Sequence, residues 1–463
     1  MPLVAGVDSS TSACKVEIRD ADTGALVASG RAPHPPTSPP RSEQHPSAWW
    51  QAFQDAFAQT GRAVDAIAIA GQQHGLVALD DQGEVLRPAK LWNDTESADD
   101  ASALLQSIGA DAWANACGSV PVPAFTITKL RWLKRTEPEV FERVTRIGLP
   151  HDWLTSRLTG SWTTDRGDAS GTGWWSPSEG RYRTDLLALV DDRFDPHKAF
   201  PEVLGPAAAA GDWDGVVVAA GTGDNMAAAL GLGLRPGDVA LSFGTSGTAC
   251  TVSDTPTADP AGIVAGFADA TGRYLPLVCT LNATKVTDTV ARLLGVSAPE
   301  LDELALAAPA GADGVVLVPH LDGERTPNRP HATGALSGLR SDASREQLAR
   351  AAVEGVVCNL LAGADHLPKA AGRLVMIGGG ARSRAYQRVV ADLTGREVVV
   401  PDAWELVALG ACVQAAAVLT GRAPDEISAQ WSLGEGTTID PDPTVDHDAI
   451  RAAYAAAATK GTT

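Results

Sequence analysis

The chain has 463 residues, of which 44% are hydrophobic and 20% are charged, a composition typical of globular rather than disordered or fibrous proteins. Its length exceeds what one hydrophobic core usually supports, so two domains of roughly 200 residues each are expected. Thirty-seven basic residues stand against 56 acidic ones, a formal net charge of −19. Such a charge repels nucleic-acid backbones and anionic membranes, and neither is expected as a partner.

The six cysteines are scattered and form no CxxC pair, which argues against a disulfide framework or a thiolate zinc site and predicts buried thiols. No basic region followed by an apolar stretch and a small-residue cleavage site opens the sequence, and no run of about 18 apolar residues occurs. These observations predict a cytoplasmic protein.

The first predicted elements are two strands joined by a tight turn in residues 6–16, GVDSSTSACKV. The apolar run ends at Asp8, and an apolar pattern resumes in KVEIRD. The turn between them contains Ser10, Thr11 and Ser12, whose small side chains let the backbone approach phosphate oxygens, and the Asp8 carboxylate could hold a hydrated Mg²⁺. An Asx-type turn, in which Asp and Ser bond their own backbone, is the alternative interpretation.

Further along the chain, short apolar runs ending in glycine alternate with Ala- and Leu-rich stretches of helical spacing, which predicts an α/β fold with mostly buried sheets. A helix is predicted to begin near Pro46, and the final AAYAAAATKGTT predicts a helix with a frayed end. The runs predicted as fully buried strands are 63–71, 215–223, 238–244, 314–320 and 373–380, and the clearest predicted helices are 345–367 and 383–395.

The sequence LSFGTSGTACTV at residues 241–252 resembles the first turn, with Gly244, Thr245 and Ser246 but no acid in the position of Asp8. A boundary near residues 231–237 separates the two copies and predicts domains 1–233 and 234–463. This is the pattern of a duplicated fold with a cleft between its halves, a common place for small-molecule sites.

Three other segments follow predicted strands. Asp224 in GTGDN stands where α/β sheets collect ligands, although it could instead cap the following helix. Glycine-rich GGGARS begins at Gly378 and suits close approach of a nucleotide, although a tight turn is the more frequent explanation of three glycines in a row. His74 in GQQHG is as compatible with a hydrogen-bonded turn as with a ligand contact.

Seven motifs in one order, DSST, GQQHG, LWND, GTGDN, SFGTSGT, GERTP and GGGARS, resemble those of the FGGY carbohydrate kinases, and in particular the members that phosphorylate D-xylulose. The resemblance extends from about residue 4 to about residue 420. It implies two domains of the actin-like ATPase (ribonuclease H-like) fold that close over a cleft holding ATP and sugar, and it suggests a homodimer.

The resemblance also implies roles for individual residues. Asp224 is expected to be the general base that takes a proton from the sugar hydroxyl, and Asp8 is expected to lie near the Mg²⁺-nucleotide phosphates. The expected contacts to the sugar are Gln73, His74 and Asn225. The expected contacts to ATP are Ser10, Thr11, Ser12, Gly244, Thr245, Ser246, Gly379, Gly380 and Ala381, with Arg382 and Ser383 beside the same pocket.

The expected reaction is therefore ATP-dependent phosphorylation of D-xylulose to D-xylulose 5-phosphate in pentose catabolism. A kinase for ribulose, L-xylulose or a related polyol is the nearest alternative, because one altered contact moves selectivity by only about 1–3 kcal/mol. A non-catalytic actin-like nucleotide switch would keep the phosphate turns but would not need Asp224 and Asn225, and a sugar-binding regulator without catalysis would be expected to lack Asp8 or Asp224.

The sequence departs from the commonest family pattern at Ser9 and Ser10, at Gln73 and at Thr222. The first pair slightly hinders backbone approach to phosphate, and Gln73 bears on sugar selectivity. None of these changes removes an essential group. The GERTP motif, with Glu324 and Arg325, receives no chemical role from the sequence.

Overall fold

The structure is a computed structural model that describes residues 2–460, and it divides into two compact units. The first unit contains the chain up to Gly233 together with Ser253–Leu275 and Glu405–Leu433. The second contains Leu234–Val252, Pro276–Trp404 and the chain from Gly434 onward. Each unit is therefore assembled from separate stretches of sequence, and the division into domains 1–233 and 234–463 stays a prediction.

The strands before Gly233 are β1 Leu3–Ser9, β2 Ala13–Asp20, β3 Leu26–Pro33, β4 Glu43–Gln44, β5 Ala66–Gly71, β6 Val77–Leu79, β7 Ala89–Lys90, β8 Arg146–Gly148, β9 Thr163–Asp165, β10 Trp175–Ser176, β11 Arg181–Tyr182, β12 Glu202–Leu204, β13 Ala209–Trp213, β14 Val216–Ala219 and β15 Thr222–Gly223. The later strands are β16 Val239–Phe243, β17 Gly247–Thr251, β18 Ala265–Ala268, β19 Tyr274–Thr280, β20 Val316–Val318, β21 Ala335–Ser337, β22 Leu374–Ile377, β23 Val398–Pro401 and β24 Gly436–Ile439.

The helices before Gly233 are α1 Pro46–Thr60, α2 Ala98–Ile108, α3 Ala110–Cys117, α4 Thr126–Thr136, α5 Pro138–Arg143, α6 Pro150–Thr159, α7 Arg166–Ala169, α8 Thr184–Leu187, α9 Pro196–Ala199 and α10 Asp224–Gly231. The later helices are α11 Thr284–Leu294, α12 Ala298–Ala307, α13 Arg345–Ala364, α14 Arg384–Thr394, α15 Leu406–Thr420, α16 Pro424–Gln430 and α17 His447–Lys460. Ala312–Gly314 and Gly379–Arg382 form 3₁₀ helices.

The main sheet of the first unit has the strand order β13-β14-β5-β1-β2-β3, with β15 also paired to β5. Strands β1 and β2 form the predicted antiparallel hairpin, while β1 and β15 each run parallel to β5. Ala70 of β5 is the register partner of Asp8 on one side and of Thr222 on the other. The carboxyl ends of these three strands therefore lie at one edge of the sheet, where ligands of α/β proteins collect.

Close packing against helix α15 fixes the position of β1. A Cβ atom added at Gly6 would lie 2.0 Å from the carbonyl oxygen of Ala408 on α15, so only glycine permits this approach of strand and helix. The core beneath the sheet is formed by buried aliphatic and aromatic side chains such as Val7, Ile69 and Trp49. This packing holds the end of β1, and hence Asp8, in a fixed place.

The sheet of the second unit repeats part of this arrangement. Strands β16 and β17 form an antiparallel hairpin, β16 runs parallel to β22, and the strand order through them is β19-β17-β16-β22-β23-β24. The turn after β16 and the glycine-rich segment after β22 therefore lie at the same edge of this sheet. The resemblance of the two sequences around residues 8 and 245 corresponds to two hairpins of the same kind.

Most predicted elements are confirmed, but the runs at 215–223 and 314–320 are less buried than predicted, since Val216 and Val217 of β14 are partly exposed. Helix α1 begins at Pro46, and the long helices at 345–367 and 383–395 are α13 and α14. The run at 314–320 contains β20, which is only partly buried and pairs with the exposed β21 in a two-stranded sheet. A two-stranded sheet covers the core with one face only, so its apolar run does not become a fully buried strand.

The predictions for the C-terminal helix and for the cysteines are confirmed in part. Helix α17 extends to Lys460, while the predicted frayed tail at 461–463 lies outside the described residues. Four of the six free cysteines are buried, and Cys250 and Cys279 are partly exposed. Among residues 2–460 no single helix is long and apolar enough to cross a membrane, although the bent pair α15 and α16 passes on length and composition alone.

Candidate active site

In the first unit, the turn of the first hairpin is braced from several sides. The Asp8 carboxylate is buried and accepts a hydrogen bond from the hydroxyl of Ser10, rather than from the backbone N–H that an Asx turn would supply. The carbonyl of Ser10 accepts from His34 Nδ1 at 2.8 Å, and the carbonyl of Thr11 accepts from Gln44 Nε2 at 2.9 Å. Because these carbonyls are engaged, the turn is suited to present donors to an anion.

A lysine and a glutamate complete the charges around this turn, and sequence reasoning did not single out either one. Lys15 Nζ lies 3.5 Å from Asp8 Oδ2 and 2.6 Å from Glu405 Oε2. Burial raises the pKa of Asp8, whereas the Ser10 hydroxyl and the Lys15 ammonium act in the opposite direction. Glu405 is distant in sequence, so only the tertiary fold reveals this triad.

Asp224 begins helix α10 after the short strand β15. The N-cap residue of this helix is Gly223. Asp224 is therefore not the helix cap, which was the alternative interpretation of the sequence. Its Oδ1 atom accepts hydrogen bonds from the backbone N–H of Asn225 at 2.8 Å and from Asn225 Nδ2 at 3.0 Å. Asn225 Nδ2 also donates to Gln73 Oε1 at 2.8 Å. The structure thus joins three of the predicted site residues in one hydrogen-bonded chain.

The surroundings of Asp224 change its acidity. Burial is the largest cause that raises the pKa of Asp224 to about 7, and the negative charges of Asp8 and Asp168 add to it, while the bonds from Asn225 act against it. A general base works best when its pKa lies near the working pH. The Asp224 carboxylate therefore has the acidity required to accept a proton near neutral pH.

Gln73 and His74 follow strand β5. Gln73 Nε2 is buried and makes no hydrogen bond of normal geometry within residues 2–460, although it lies near enough to Asp168 to lower the pKa of that carboxylate. His74 has a positive φ of 65°, and its Nδ1 lies 2.7 Å from the carbonyl oxygen of Gly171, which fixes the proton of the neutral ring on Nδ1. A Cβ at Gly171 would lie 2.5 Å from His74 Nδ1, so this contact requires glycine.

Beneath Asp224 lies a buried histidine surrounded by carboxylates, which the sequence analysis missed. His151 Nδ1 is 2.7 Å from Asp168 Oδ2, and its Nε2 is 3.3 Å from Asp152 Oδ1. The hydroxyl of Thr222 donates to Asp165 Oδ2 at 2.8 Å. Burial alone would lower the pKa of His151, but the three carboxylates raise it to about 9. The histidine and acids in PHDWL and TTDRGDASG were the available signal, but their separation in sequence hid the cluster.

An acidic group elsewhere in the first unit already contains a cation. Lys90 Nζ lies 2.9 Å from Asp94 Oδ2, 2.6 Å from Glu96 Oε2 and 3.2 Å from Glu43 Oε1, and it also lies 3.8 Å from the centre of the Trp132 ring. The ammonium group occupies the place that a metal ion would take among these three carboxylates. This cluster is a buried ion-pair network rather than a candidate metal site.

In the second unit, the turn of the second hairpin is held by the start of helix α11. Thr284 donates to the carbonyl oxygen of Gly244 through its backbone N–H at 2.9 Å and through its hydroxyl at 2.9 Å. The backbone N–H of Ala283 donates to the carbonyl oxygen of Thr245 at 3.1 Å. As in the first hairpin, neighbouring donors engage the carbonyls of the turn.

A pocket of about 400 Å³ lies beside this turn. Of the sequence-predicted residues, Gly379, Gly380, Arg382 and Ser383 line it, whereas the side chain of Ala381 is fully buried. Further lining residues that the sequence did not predict are Thr284, Thr287, Asp288, Asp302 and Tyr386.

The two edges define the class of protein. The edge of the first sheet presents a hydroxyl-rich turn with a carboxylate and, beside it, a second carboxylate of near-neutral pKa that is hydrogen-bonded to amides. The second unit presents a glycine and hydroxyl turn beside a pocket large enough for a nucleoside. Phosphoryl transfer needs positioning, charge neutralisation and one base, and these are the parts of a kinase that acts on a small hydroxylated substrate.

Comparison with known proteins agrees with this class. The N-terminal domain of the FGGY family of carbohydrate kinases matches residues 3–231, and the C-terminal domain of that family matches residues 239–419. A xylulose kinase of Streptomyces coelicolor is 50% identical over 95% of this chain and 92% of its own length, and one of Streptomyces rubiginosus is 48% identical over 95% and 92%. The chain belongs to the FGGY family of carbohydrate kinases.

A solved structure supports the same assignment of fold. Xylulose kinase from Bifidobacterium adolescentis superimposes with a TM-score of 0.89, at 41% identity, over 99% of both chains. The fold is therefore the α/β, actin-like ATPase fold of these kinases, as the sequence predicted. Family membership makes the protein an ATP-dependent sugar kinase, with ATP as co-substrate and a carbohydrate as acceptor.

Proposed function

We propose that the protein transfers the γ-phosphoryl group of ATP to D-xylulose and forms D-xylulose 5-phosphate. The names of its similar relatives support the substrate. The observation that carries the proposal is the hydrogen-bonded chain from Asp224 through Asn225 to Gln73, because it joins a base of near-neutral pKa to a polar pair able to hold a sugar. A ketopentose is the substrate class that the GQQHG segment favours.

Asp224 is the general base of this proposal. Its carboxylate accepts the proton of the attacking sugar hydroxyl as the oxygen bonds to the γ-phosphorus, and ADP leaves. Asn225 fixes the carboxylate by donating to Oδ1, which leaves Oδ2 as the atom to receive the proton. Catalysis of this kind contributes about 10²- to 10⁴-fold in rate.

The sugar contacts are Gln73, His74 and Asn225. Gln73 offers a buried Nε2 amide beside Asp168, and its two N–H groups allow it to donate to a sugar hydroxyl or carbonyl oxygen as well. His74 is held by Gly171 and by the Phe125 ring, whose centre lies 4.9 Å from that of the imidazole. A side chain fixed on two sides presents its polar edge without further loss of entropy.

Asp8 is the residue proposed to hold Mg²⁺. Its carboxylate oxygens are the donors that Mg²⁺ prefers, and a nearby cation would favour the ionised form that burial disfavours. When bound, Mg²⁺ neutralises charge on the phosphate oxygens. Ser10 and Lys15 orient the carboxylate through Oδ1 and Oδ2 respectively.

Each hairpin turn is proposed to provide nucleotide contacts within its own unit, and the pocket of the second unit is proposed to take the adenosine. Ser10, Thr11 and Ser12 in one turn, and Gly244, Thr245 and Ser246 in the other, provide hydroxyl and backbone donors for phosphate oxygens. Gly379 and Gly380 line the pocket proposed for adenosine, and a Cβ atom added at Gly379 would meet no other atom within 4 Å, so the space beside it is open. Ala381 is proposed to support this segment from its buried position.

The decisive experiment is an ADP-release assay with ATP, Mg²⁺ and a panel of D-xylulose, L-xylulose, D-ribulose and polyols. We expect the highest kcat/KM on D-xylulose and a loss of about 10³-fold or more in Asp224→Asn. Glu17→Gln is the control, because Glu17 is a carboxylate of the first unit that is buried and paired with Arg19 at 2.7 Å, and it should retain kcat.

Two results would contradict the proposal. A higher kcat/KM on another sugar would replace the substrate with the related kinase activity that the sequence also allows. An absence of sugar-dependent ADP release would favour the non-catalytic nucleotide switch. The homodimer suggested by the resemblance stays a prediction, which light scattering measures.

A further inference from the structure

Glu324, in the GERTP motif, is a buried carboxylate whose two oxygens each accept two hydrogen bonds. Its side chain is 1% exposed. Oε1 accepts from the backbone N–H of Leu281 at 2.6 Å and of Arg325 at 2.8 Å. Oε2 accepts from Asn282 Nδ2 at 2.9 Å and from Asn359 Nδ2 at 2.9 Å. Hydrogen bonds to a carboxylate are stronger than those between neutral groups, so these four donors hold Glu324 and its partners firmly together.

Two of these donors belong to the segment 281–284, which leads from the end of β19 to the first residue of α11. Leu281 and Asn282 are its first two residues, and Asn282 Nδ2 donates to the carbonyl oxygen of Gly323 at 2.8 Å as well. Glu324 itself is fixed by backbone hydrogen bonds with Arg329 in both directions, at 2.9 Å and 2.8 Å. The carboxylate therefore joins this connecting segment to a rigid turn.

The other end of the same segment holds the turn of the second hairpin. Ala283 and Thr284 donate to the carbonyls of Thr245 and Gly244, and Thr284 also lines the pocket of the second unit. No helix-capping side chain secures the start of α11 at Ala283. Without Glu324, Ala283 and Thr284 would be held in place mainly by their hydrogen bonds to the second hairpin turn. They would then be less able to fix the position of that turn.

We infer that Glu324 is a positioning residue for the second phosphate turn, acting through residues 281–284 on Gly244 and Thr245. This inference rests on the proposed function, because it assigns that turn to nucleotide phosphates. It gives the GERTP motif a role without requiring Glu324 to touch a substrate. The effect is expected on nucleotide affinity and transfer, and not on the sugar.

The chemistry explains why a carboxylate is needed at position 324. All four partners are N–H donors, and an amide has only one acceptor oxygen. In Glu324→Gln the NH₂ group would face two donors in either orientation, so two hydrogen bonds are lost while shape and volume are kept. The substitution therefore tests the hydrogen bonds with little change in packing.

The test is the affinity of Mg·ADP by isothermal titration calorimetry, together with KM for ATP and for D-xylulose, in wild type and Glu324→Gln. We expect the dissociation constant for Mg·ADP and KM for ATP to rise about five- to tenfold. KM for D-xylulose should change less than twofold. Asn282→Ala is a second variant, expected to raise the dissociation constant about two- to fivefold in the same direction.

Glu354→Gln is the matched control. Glu354 is a buried carboxylate of the same unit that accepts from Arg350 Nε at 2.6 Å and from the backbone N–H of Gly311 at 2.8 Å, and its partners do not include residues 281–284. It should lose stability without losing affinity for Mg·ADP. The double variant Glu324→Gln with Asn359→Asp restores an acceptor for the new NH₂ group, while Asn282 Nδ2 still faces that group, so it should recover part of the affinity.

Equal affinity for Mg·ADP in wild type, Glu324→Gln and Asn282→Ala would overturn the inference. An equal loss in Glu324→Gln and Glu354→Gln would also overturn it, because both would then act through general stability. The binding measurement needs no sugar, so it distinguishes this failure from an error in the proposed substrate. If Glu324→Gln fails to fold, Asn282→Ala alone decides by its Mg·ADP affinity.

Discussion

The two hairpins have the same strand pairing but are stabilised by different interactions. In the first, Asp8 stands opposite Lys15 in the β1–β2 register, and Lys15 continues to Glu405 at 2.6 Å. In the second, the residue that corresponds to Asp8 is Ser242, because it precedes Thr245 by three positions as Asp8 precedes Thr11. This turn is held by the neutral donors of Ala283 and Thr284. Hydrogen bonds to backbone carbonyls hold both turns, and the first hairpin adds a network of charges.

This difference indicates how a repeated element acquires two roles. Engaged carbonyls are common to both turns, so both are suited to phosphate oxygens. Only the first turn lies in the same unit as Asp224, and of the two turns only the first has a carboxylate, Asp8, that raises the pKa of Asp224. Variants of the first hairpin should therefore be sensitive to pH, and variants of the second should not.

The largest expected effect comes from removing the carboxylate of the first hairpin. Asp8→Asn should lower kcat by about 10²- to 10³-fold, because it removes the carboxylate proposed to hold the cation that neutralises charge at the phosphates. Ser242→Asp places a carboxylate at the corresponding position of the second hairpin and should not restore activity to Asp8→Asn. The ADP-release assay measures both, and recovery in the double variant would show that the hairpins are interchangeable.

The next effect is a pH dependence. Since Asp224 must be ionised to accept a proton and its pKa is raised to about 7, kcat should fall about tenfold per pH unit below pH 7. Removing the charge of Asp8 should move this acidic limb to lower pH, whereas Thr284→Val should leave it in place. Profiles of kcat between pH 5.5 and 9 measure this, and a shift in Thr284→Val would contradict the comparison.

The same raised pKa predicts that replacing Asp224 by a neutral residue increases the stability of the fold. The pKa of Asp224 is higher in the folded state than in the unfolded chain, so its contribution to stability is fully present below about pH 4 and is lost as pH rises toward 7. Asp224→Asn should therefore be more stable than wild type by about 1–2 kcal/mol at pH 8, and by less at pH 5. The difference in free energy is smaller than the full pKa shift would give, because solvent reaches part of the carboxylate. Urea unfolding at both pH values measures the difference.

Removing the Lys15 ammonium group from the first hairpin should have a moderate effect on kcat. Lys15→Met leaves Asp8 and Glu405 without their shared ammonium and raises the pKa of Asp8 further. We expect kcat to fall about three- to tenfold at pH 6.5 and less at pH 8, because a higher pH favours the ionised form of Asp8. The same loss at both pH values would indicate that Lys15 acts by packing alone.

The smallest effect is expected in the second hairpin. Thr284→Val removes one hydroxyl bond to Gly244, at 2.9 Å, but keeps the backbone donor, so KM for ATP should rise about two- to fivefold at every pH. Thr251→Val is the control, because its hydroxyl donates to the Asp238 carbonyl at 2.7 Å within the same sheet. An unchanged KM for ATP in Thr284→Val would contradict the role of this bond.

Much of this protein was readable from sequence because its strongest signals are local. Residues 6–16 predicted a hairpin, Pro46 predicted a helix start, and glycine-ended apolar runs predicted most buried strands. The order of seven short motifs identified the family. Each of these depends on neighbouring residues, whose conformation is set by the backbone and by periodic burial.

The tertiary structure decided which distant groups meet. Lys15 and Glu405 are separated by 390 positions, His151 finds three carboxylates, and Glu324 gathers donors from three segments. No local pattern predicts these contacts, because they depend on strand register and on the packing of helices against sheets. The sequence therefore determined the fold class, the family and the position of Asp224 after a strand, whereas only the folded chain decided the acidity of Asp224 and the support of the second turn.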